Sequence, residues 1–239
     1  MRKYFENLYK KDCKAFYSEL EQWVKTEQKK FIITANPEIF MQGEKDSAVN
    51  QMLSDSAVTT VADGIGIVKC AKLLNIDIPE RIPGVEVSEK LLQIANENSS
   101  SLFLFGAKRD ILEALCRVIS EKFPNINIVG CEDGYTEDKD GVFEQIKTLS
   151  PDIVLVALGV PAQEKLIYKH LSDFKKGIFV GVGGSFDVLS GAKARAPKFF
   201  IKCNIEWLYR ILKEPSRLKR FYNSNVKFIF AVKRESKIK

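Results

Sequence analysis

Six times along this chain a short apolar run ends in a turn of Gly, Pro or small polar residues and is followed by an amphipathic stretch. That rhythm admits few folds. Parallel strands need a crossover of a dozen or more residues, usually a helix, so each unit reads as strand, turn, helix. The spacing predicts strands at Phe31–Thr34, Val58–Val61, Leu102–Phe105, Ile126–Val129, Ile153–Leu158 and Ile178–Val182. Helices are expected at about 12–28, 37–53, 64–74, 109–122, 140–149 and 161–171. The fold class is α/β, with Rossmann-like parallel sheets and covering helices. Gly84–Ser101 and the turn-rich CEDGYTEDKDG read as loops or short helical connections.

From Ala196 onward the rhythm stops. The remaining residues read as two or three amphipathic helices broken at Glu214–Pro215, because proline cannot continue a helix and suits the first turn of the next. Residues 1–195 are therefore expected to form the core, and a division of that core into two lobes would fall near residues 85–101. Residues 196–239 would form a basic, amphipathic, helical C-terminal appendage.

Charge divides the same way. The chain has 37 Lys+Arg and 31 Asp+Glu, a net +6. From Lys193 onward fourteen Lys/Arg stand against three Asp/Glu, or +11, which leaves −5 on residues 1–192. A basic tail on an acidic body points to a polyanionic partner or an anionic membrane surface. Three roles fit it: binding nucleic acid, lying on a membrane, or closing over a site as a lid that supplies arginines. Trp207, Phe221, Phe228 and Phe230, interleaved with the lysines, favour an interfacial helix over one that only tracks phosphates.

The 5 Cys form no C-x-x-C pair, and the 1 His rules out a His-rich metal site. The opening MRKYFENLYKKDCKAFY lacks the apolar segment of a secretory leader, and no run approaches the ~20 apolar residues of a spanning helix. A cytoplasmic protein is expected, with a homo-oligomer left open.

In open α/β sheets ligands bind beyond the carboxyl ends of strands, so TANPE, ADGIG, FGAKRD, LGVPAQE and VGGSFD are where chemistry is expected. Asp63 in ADGIG could accept a proton from a substrate hydroxyl or could cap the following helix. Gly64-x-Gly66 is no dinucleotide fingerprint, since Lys69 stands where the third Gly belongs. That counts against a nicotinamide enzyme. Gly181–Gly191 could present N–H groups to phosphate or make a tight turn, but it lacks the Gly-Lys-Ser/Thr ending of a P-loop. Thr34, Asn36 and Gln163 could hydrogen-bond a sugar or cap helices. His170 reads as a solvated helix residue. Asp138 and Asp140 spell D-x-D, but no strand precedes them, so no metal site is assigned.

Taken in order, TANPEIFM, ADGIGIV, RIPGVEV, LFLFGAK, INIVGCEDGY, LGVPAQEKLI, GVGGSFDVLSGAKARAPKF and IEWLYRILKEPSRLKR resemble the WecG/TagA/CpsF family of bacterial glycosyltransferases, and the TagA type most. The resemblance runs from about residue 31 to 222. It implies an inverting, UDP-sugar-dependent hexosyltransferase acting on an undecaprenyl-diphosphate-linked sugar, peripheral on the inner face of the cell membrane. The TagA type implies N-acetylmannosamine moved from its UDP derivative to GlcNAc-diphosphoundecaprenol, as in teichoic acid and cell wall biogenesis. A uronic acid donor or UDP-glucose, for exopolysaccharide, is the alternative within the family. Outside it stands a basic-tailed nucleic-acid-binding protein, which would have no use for Asp63 or Gln163.

By motif the resemblance makes Asp63 the base and Arg81 its catalytic companion. Thr34, Asn36 and Gln163 become polar pocket residues, and Tyr135, Gly184 and Asp187 donor-side loop residues. Arg210, Arg217 and Arg220 become diphosphate-binding residues of a lid that closes at the membrane. No metal or other cofactor is implied, because arginines can stabilise the departing diphosphate. No nucleic acid partner is implied either.

Overall fold

The computed structural model of the chain describes residues 1–237, apart from the side chains of Arg217 and Arg220. Helices α1 (Arg2–Glu6) and α2 (Cys13–Lys25) precede β1 (Lys29–Ala35), and α3 (Pro37–Gly43) and α4 (Ser47–Ser54) lead to β2 (Val58–Ala62). Next come α5 (Ile65–Leu73), α6 (Gly84–Glu97), β3 (Ser101–Gly106), α7 (Arg109–Lys122) and β4 (Asn127–Glu132). They are followed by α8 (Lys139–Leu149), β5 (Ile153–Ala157), α9 (Ala162–His170), a 3₁₀ turn at Leu171–Asp173 and β6 (Gly177–Gly181). The chain closes with α10 (Ser185–Leu189), α11 (Lys198–Lys202), α12 (Glu206–Lys213), α13 (Arg217–Phe221), a π-helical turn at Tyr222–Val226 and α14 (Lys227–Glu235).

The strands form one sheet in the order β2-β1-β6-β5-β3-β4, every neighbouring pair parallel. Each predicted strand is present. Their near-continuous Val, Ile, Leu and Phe content follows from burial on both faces. Alternate residues point to opposite layers. Phe31 and Ile33 of β1 pack with Phe40, Phe143 and Phe179 on one side, while Ile32 packs with Phe16, Leu91, Leu115 and Phe186 on the other. Where β3 ends, Gly106 has φ +124°, and a Cβ there would lie 2.4 Å from the Ala157 carbonyl oxygen of β5. Only glycine lets these two tips come so close.

The single sheet takes strands from both sides of residues 85–101. Two expectations change. Gly84–Ser101, read as loops or short helical connections, is mostly one long helix: Gly84–Glu97 is α6, which buries Val87, Leu91, Leu92, Ile94 and Ala95. Its many polar residues lie on the outer stripe and hide the helical period. The helix expected over 37–53 is two helices, because Asp46 caps α4 by accepting from the Ala48 and Val49 N–H groups (3.0 and 3.3 Å).

The appendage expected over residues 196–239 divides in two. Helices α11 and α12 bury no residue, and Phe199, Leu212 and Leu218 are exposed. Helix α14 is different: Phe228 and Val232 are fully buried, with the Phe228 ring 5.9 Å from that of Phe5 and 6.0 Å from that of Phe40. Glu235 accepts from the Arg2 N–H at 3.0 Å. The end of the chain thus seals the layer that α1 and α3 begin. Phe228→Ala should cost about 3–5 kcal/mol, the range for emptying a buried aromatic site. Thermal denaturation should show a Tm lower by on the order of 10 °C; an unchanged Tm would show that α14 only rests on the surface.

Candidate active site

The carboxyl ends of the strands carry nearly all of the polar residues singled out above. Asp63 follows β2, and its N–H donates to the Ala35 carbonyl at 2.8 Å, which extends the pairing with β1 by one step. Its side chain does not cap α5, whose N-cap is Gly64 and has no side-chain cap. The half-buried carboxyl instead accepts from the Gly84 N–H at the first residue of α6. The Ile82 N–H donates to the Ala62 carbonyl at 2.7 Å and steers the RIPGVEV segment to this place. Gly84 is required here, since a Cβ would stand 2.8 Å from Thr34 Oγ1. Thr34, Asp63 and the head of α6 therefore form one tight group. A helix N-terminus beside a carboxylate favours its charged form.

Burial wins over that attraction and pushes the Asp63 carboxyl up to about 6. The Arg210 guanidinium opposes the rise most, then the Gly84 N–H; Glu206 adds to the rise, and Arg81 opposes it. Glu206 and Arg210 form an ion pair one turn apart on α12, so this helix lies over Asp63. A carboxyl poised near neutrality, with cations beside it, suits proton transfer from a substrate hydroxyl.

Asn36 does two things. Its Oδ1 accepts from the Glu38 and Ile39 N–H groups (2.9 and 3.1 Å) and caps α3, while the Nδ2 hydrogens make no bond among the described residues. Gln163 is only 2% exposed. Its Oε1 accepts from the Gly159 and Gly183 N–H groups, each at 3.0 Å, tying the tip of β5 to that of β6.

On the other side of the sheet's mouth a cleft of about 670 Å³ is lined by Tyr135, Asp187, Lys108, Lys139 and Lys193, among others. Tyr135 is 71% exposed, which leaves its ring face free to stack on a flat base. Gly184 is exposed at the head of the short α10, on the approach to Asp187. A larger open groove, about 770 Å³ between α2 and α6, is lined by Glu21, Glu80, Glu86 and Glu89 with Lys14 and Lys90, so its carboxylates outnumber its cations. The cleft at the strand tips sets Lys108, Lys139 and Lys193 against Asp110 and Asp187, so its cations outnumber its carboxylates.

The lysines were not singled out from the sequence. Lys108 had a signal, because it lies in the strand-end segment FGAKRD. Lys193 lies in the GVGGSFDVLSGAKARAPKF segment, and its Nζ stands 3.4 Å from both Asp187 and Glu214, a bridge from α10 to the residue after α12. Arg195 likewise reaches α6, with Glu86 at 2.6 Å and Glu89 at 3.3 Å. Arg217 and Arg220 lie on α13, with side chains outside the described residues.

His170 is not a solvated residue. It is 8% exposed, stacks on Phe143 and sits between Asp140 (2.7 Å) and Asp173 (3.3 Å). Glu144, His170 and Asp173 are the one grouping among the described residues with metal-ligand proximity. They cluster about two turns of α9 away from Gln163. Asp138 caps α8, and Asp140 pairs with Lys169, so the D-x-D is used structurally.

Residues 6–239 match the model of the Glycosyl transferase WecG/TagA/CpsF family. The chain is 42% identical over 208 residues to the N-acetylglucosaminyldiphosphoundecaprenol N-acetyl-beta-D-mannosaminyltransferase of Bacillus subtilis (strain 168), covering 87% of this chain and 80% of that protein. It is 39% identical over 219 residues to the protein of the same name from Bacillus spizizenii, covering 91% and 84%. The protein of that name from Staphylococcus aureus (strain MW2) is 37% identical over 210 residues, covering 87% and 82%.

The charges around Asp63 predict how it titrates. Its carboxyl should show a midpoint about pH 6 by carbon-13 NMR. Arg210→Ala should move that midpoint up, and Glu206→Gln should move it down. If neither change moves it, α12 does not cover Asp63 in solution.

Proposed function

We infer the activity from membership: this chain belongs to the WecG/TagA/CpsF family of glycosyl transferases. It is a glycosyltransferase that moves N-acetylmannosamine from its UDP derivative to GlcNAc-diphosphoundecaprenol. The observation that carries this reading is the 42% identity, over 87% of the chain, to a transferase named for that sugar and that acceptor.

The geometry supports a division of labour at the strand tips. Asp63 accepts the proton of the acceptor hydroxyl as its oxygen attacks the anomeric carbon. The bond from that carbon to the UDP oxygen breaks, and the sugar is inverted. UDP departs with added negative charge, which Arg81, Arg210 and the lysines of the cleft neutralise. Arginine is the better partner for paired phosphate oxygens. The Nδ2 of Asn36 and the Thr34 hydroxyl position a sugar, and Tyr135 and Asp187 hold the nucleoside. Because side-chain cations supply the electrostatic stabilisation, the reaction requires no metal.

A lipid-linked acceptor brings the enzyme to the membrane. No helix among the described residues is long and apolar enough to cross one. The exposed Phe199, Leu212, Leu218, Tyr222 and Phe230, set among lysines, support peripheral attachment at the inner face through the appendage. Each basic residue near an anionic leaflet adds about 1 kcal/mol of attraction, so attachment should weaken with salt.

Turnover with UDP-N-acetylmannosamine should exceed that with UDP-N-acetylglucosamine or UDP-glucose and should survive EDTA. Asp63→Asn should lower kcat by about 10²-fold or more, with UDP affinity nearly unchanged. Preference for another donor would reassign the sugar. Loss of activity on chelation, restored by magnesium, would overturn the metal-free reading.

A further inference from the structure

Glu164 follows Gln163 at the head of α9, is 2% exposed, and has no role in the chemistry above. Its Oε1 accepts from Gln163 Nε2 at 2.7 Å. Its Oε2 is buried and has no hydrogen-bond partner among the described residues. The pair is pressed against the sheet, since a Cβ on Gly181 would lie 2.7 Å from Gln163 Nε2 and 3.0 Å from Glu164 Oε1.

A carboxamide has the same shape whichever way its oxygen and nitrogen point. Gln163 must present oxygen to the Gly159 and Gly183 N–H groups, and the reverse orientation would set its NH₂ against two donors. Glu164 selects the right orientation by accepting on the nitrogen side. The loop that carries Gly159 also carries Leu158 and Ala162, and Gly183 leads into α10 with Asp187; these residues are walls of the tyrosine-lined cleft. The clasp therefore holds two walls of that cleft at a set spacing.

We propose that Glu164 is a positioning residue that orients Gln163, and through it the β5 and β6 loops around the donor. The inference rests on the transferase reading for its effect on turnover. The clasp itself is independent of that reading.

Burial pushes the Glu164 carboxyl up to about 7, opposed by the Gln163 amide and its own backbone N–H, with Glu38 adding to the rise. Few other charges face it. Asp46 at the head of α4 is paired with Lys165 at 2.8 Å, and Asp55 accepts from the Tyr168 hydroxyl at 2.8 Å. Strand β6 has no ionisable side chain, and β1 has only Lys29 and Lys30 at its opposite end. Below neutrality the acid is neutral and accepts from Gln163. As pH rises through about 7 the carboxyl gains a charge, which strengthens its acceptance from the Gln163 amide while Oε2 meets no donor among the described residues, so the clasp should report the titration.

The test follows the Gly159 and Gly183 amides by NMR in the full-length protein from acid to alkaline pH. In the wild type both should shift together, with a midpoint about pH 7. Glu164→Gln, which keeps an acceptor and cannot ionise, should abolish that shift and leave both amides protected. Glu164→Ala should speed their exchange by about 10-fold or more. In turnover assays Glu164→Ala should lower kcat, and Glu164→Gln, which keeps an acceptor on the nitrogen side of Gln163, should restore most of it. Glycine amides that do not titrate, or a Glu164→Gln variant as impaired as Glu164→Ala, would overturn the proposal. A wild type that transfers no sugar would overturn the transferase reading, and the amide titration would then decide the clasp on its own.

Discussion

A parallel sheet covered on both faces leaves only its ends open to polar chemistry. Everything distinctive about this chain follows from that constraint. Both layers of side chains are apolar, so Thr34, Asn36, Asp63, Gln163 and Asp187 are gathered where the strands stop. Six parallel strands end on the same side of the molecule, so residues far apart in sequence meet there without long loops. The head of α6 supplies the N–H that receives Asp63, because a helix covering the same sheet must begin near those tips.

Electrostatics at this edge is a contest between burial and compensation. Asp63 loses water but gains the Gly84 N–H, Arg210 and Arg81, and stays poised near neutrality. Glu164 loses water and gains fewer donors. The two carboxyls are thus tuned upward by one cause, and their different surroundings separate what they can do. Asp63 has a half-open position and cationic neighbours. Glu164 is sealed behind Gln163.

Much of this was legible in the sequence, for stated reasons. Each strand is a short apolar run ended by Gly or a small residue, and that signal is local. The positions of Thr34, Asn36 and Asp63 at strand tips followed from it, as did the break at Glu214. What was hidden depends on contacts across the fold. Asp63 reads equally well as a helix cap until the RIPGVEV segment is seen to return beside it. Helix α6 was obscured because Glu86, Glu89 and Lys90 interrupt its apolar stripe. His170 looked solvated because Asp140 and Phe143, which enclose it, are about thirty residues away in the chain. Phe228 resembled the other aromatic residues of the basic tail, and only tertiary packing distinguishes it from the exposed Phe230.

The double attachment of the C-terminal segment has a consequence for how arginine reaches the site. Arg195 holds its beginning on α6, and Phe228 and Val232 hold its end in the core. Helices α11 to α13 are therefore a strap fixed at both ends and not a flap on one hinge. A strap can bow outward to admit a substrate, but it cannot swing away, and loop closure has already been met by folding. Arg210 is accordingly tethered near Asp63 by both attachments, as a linked ligand is near its receptor. Drawing the exposed apolar side of the strap toward a lipid surface would alter its curvature while leaving both attachments in place.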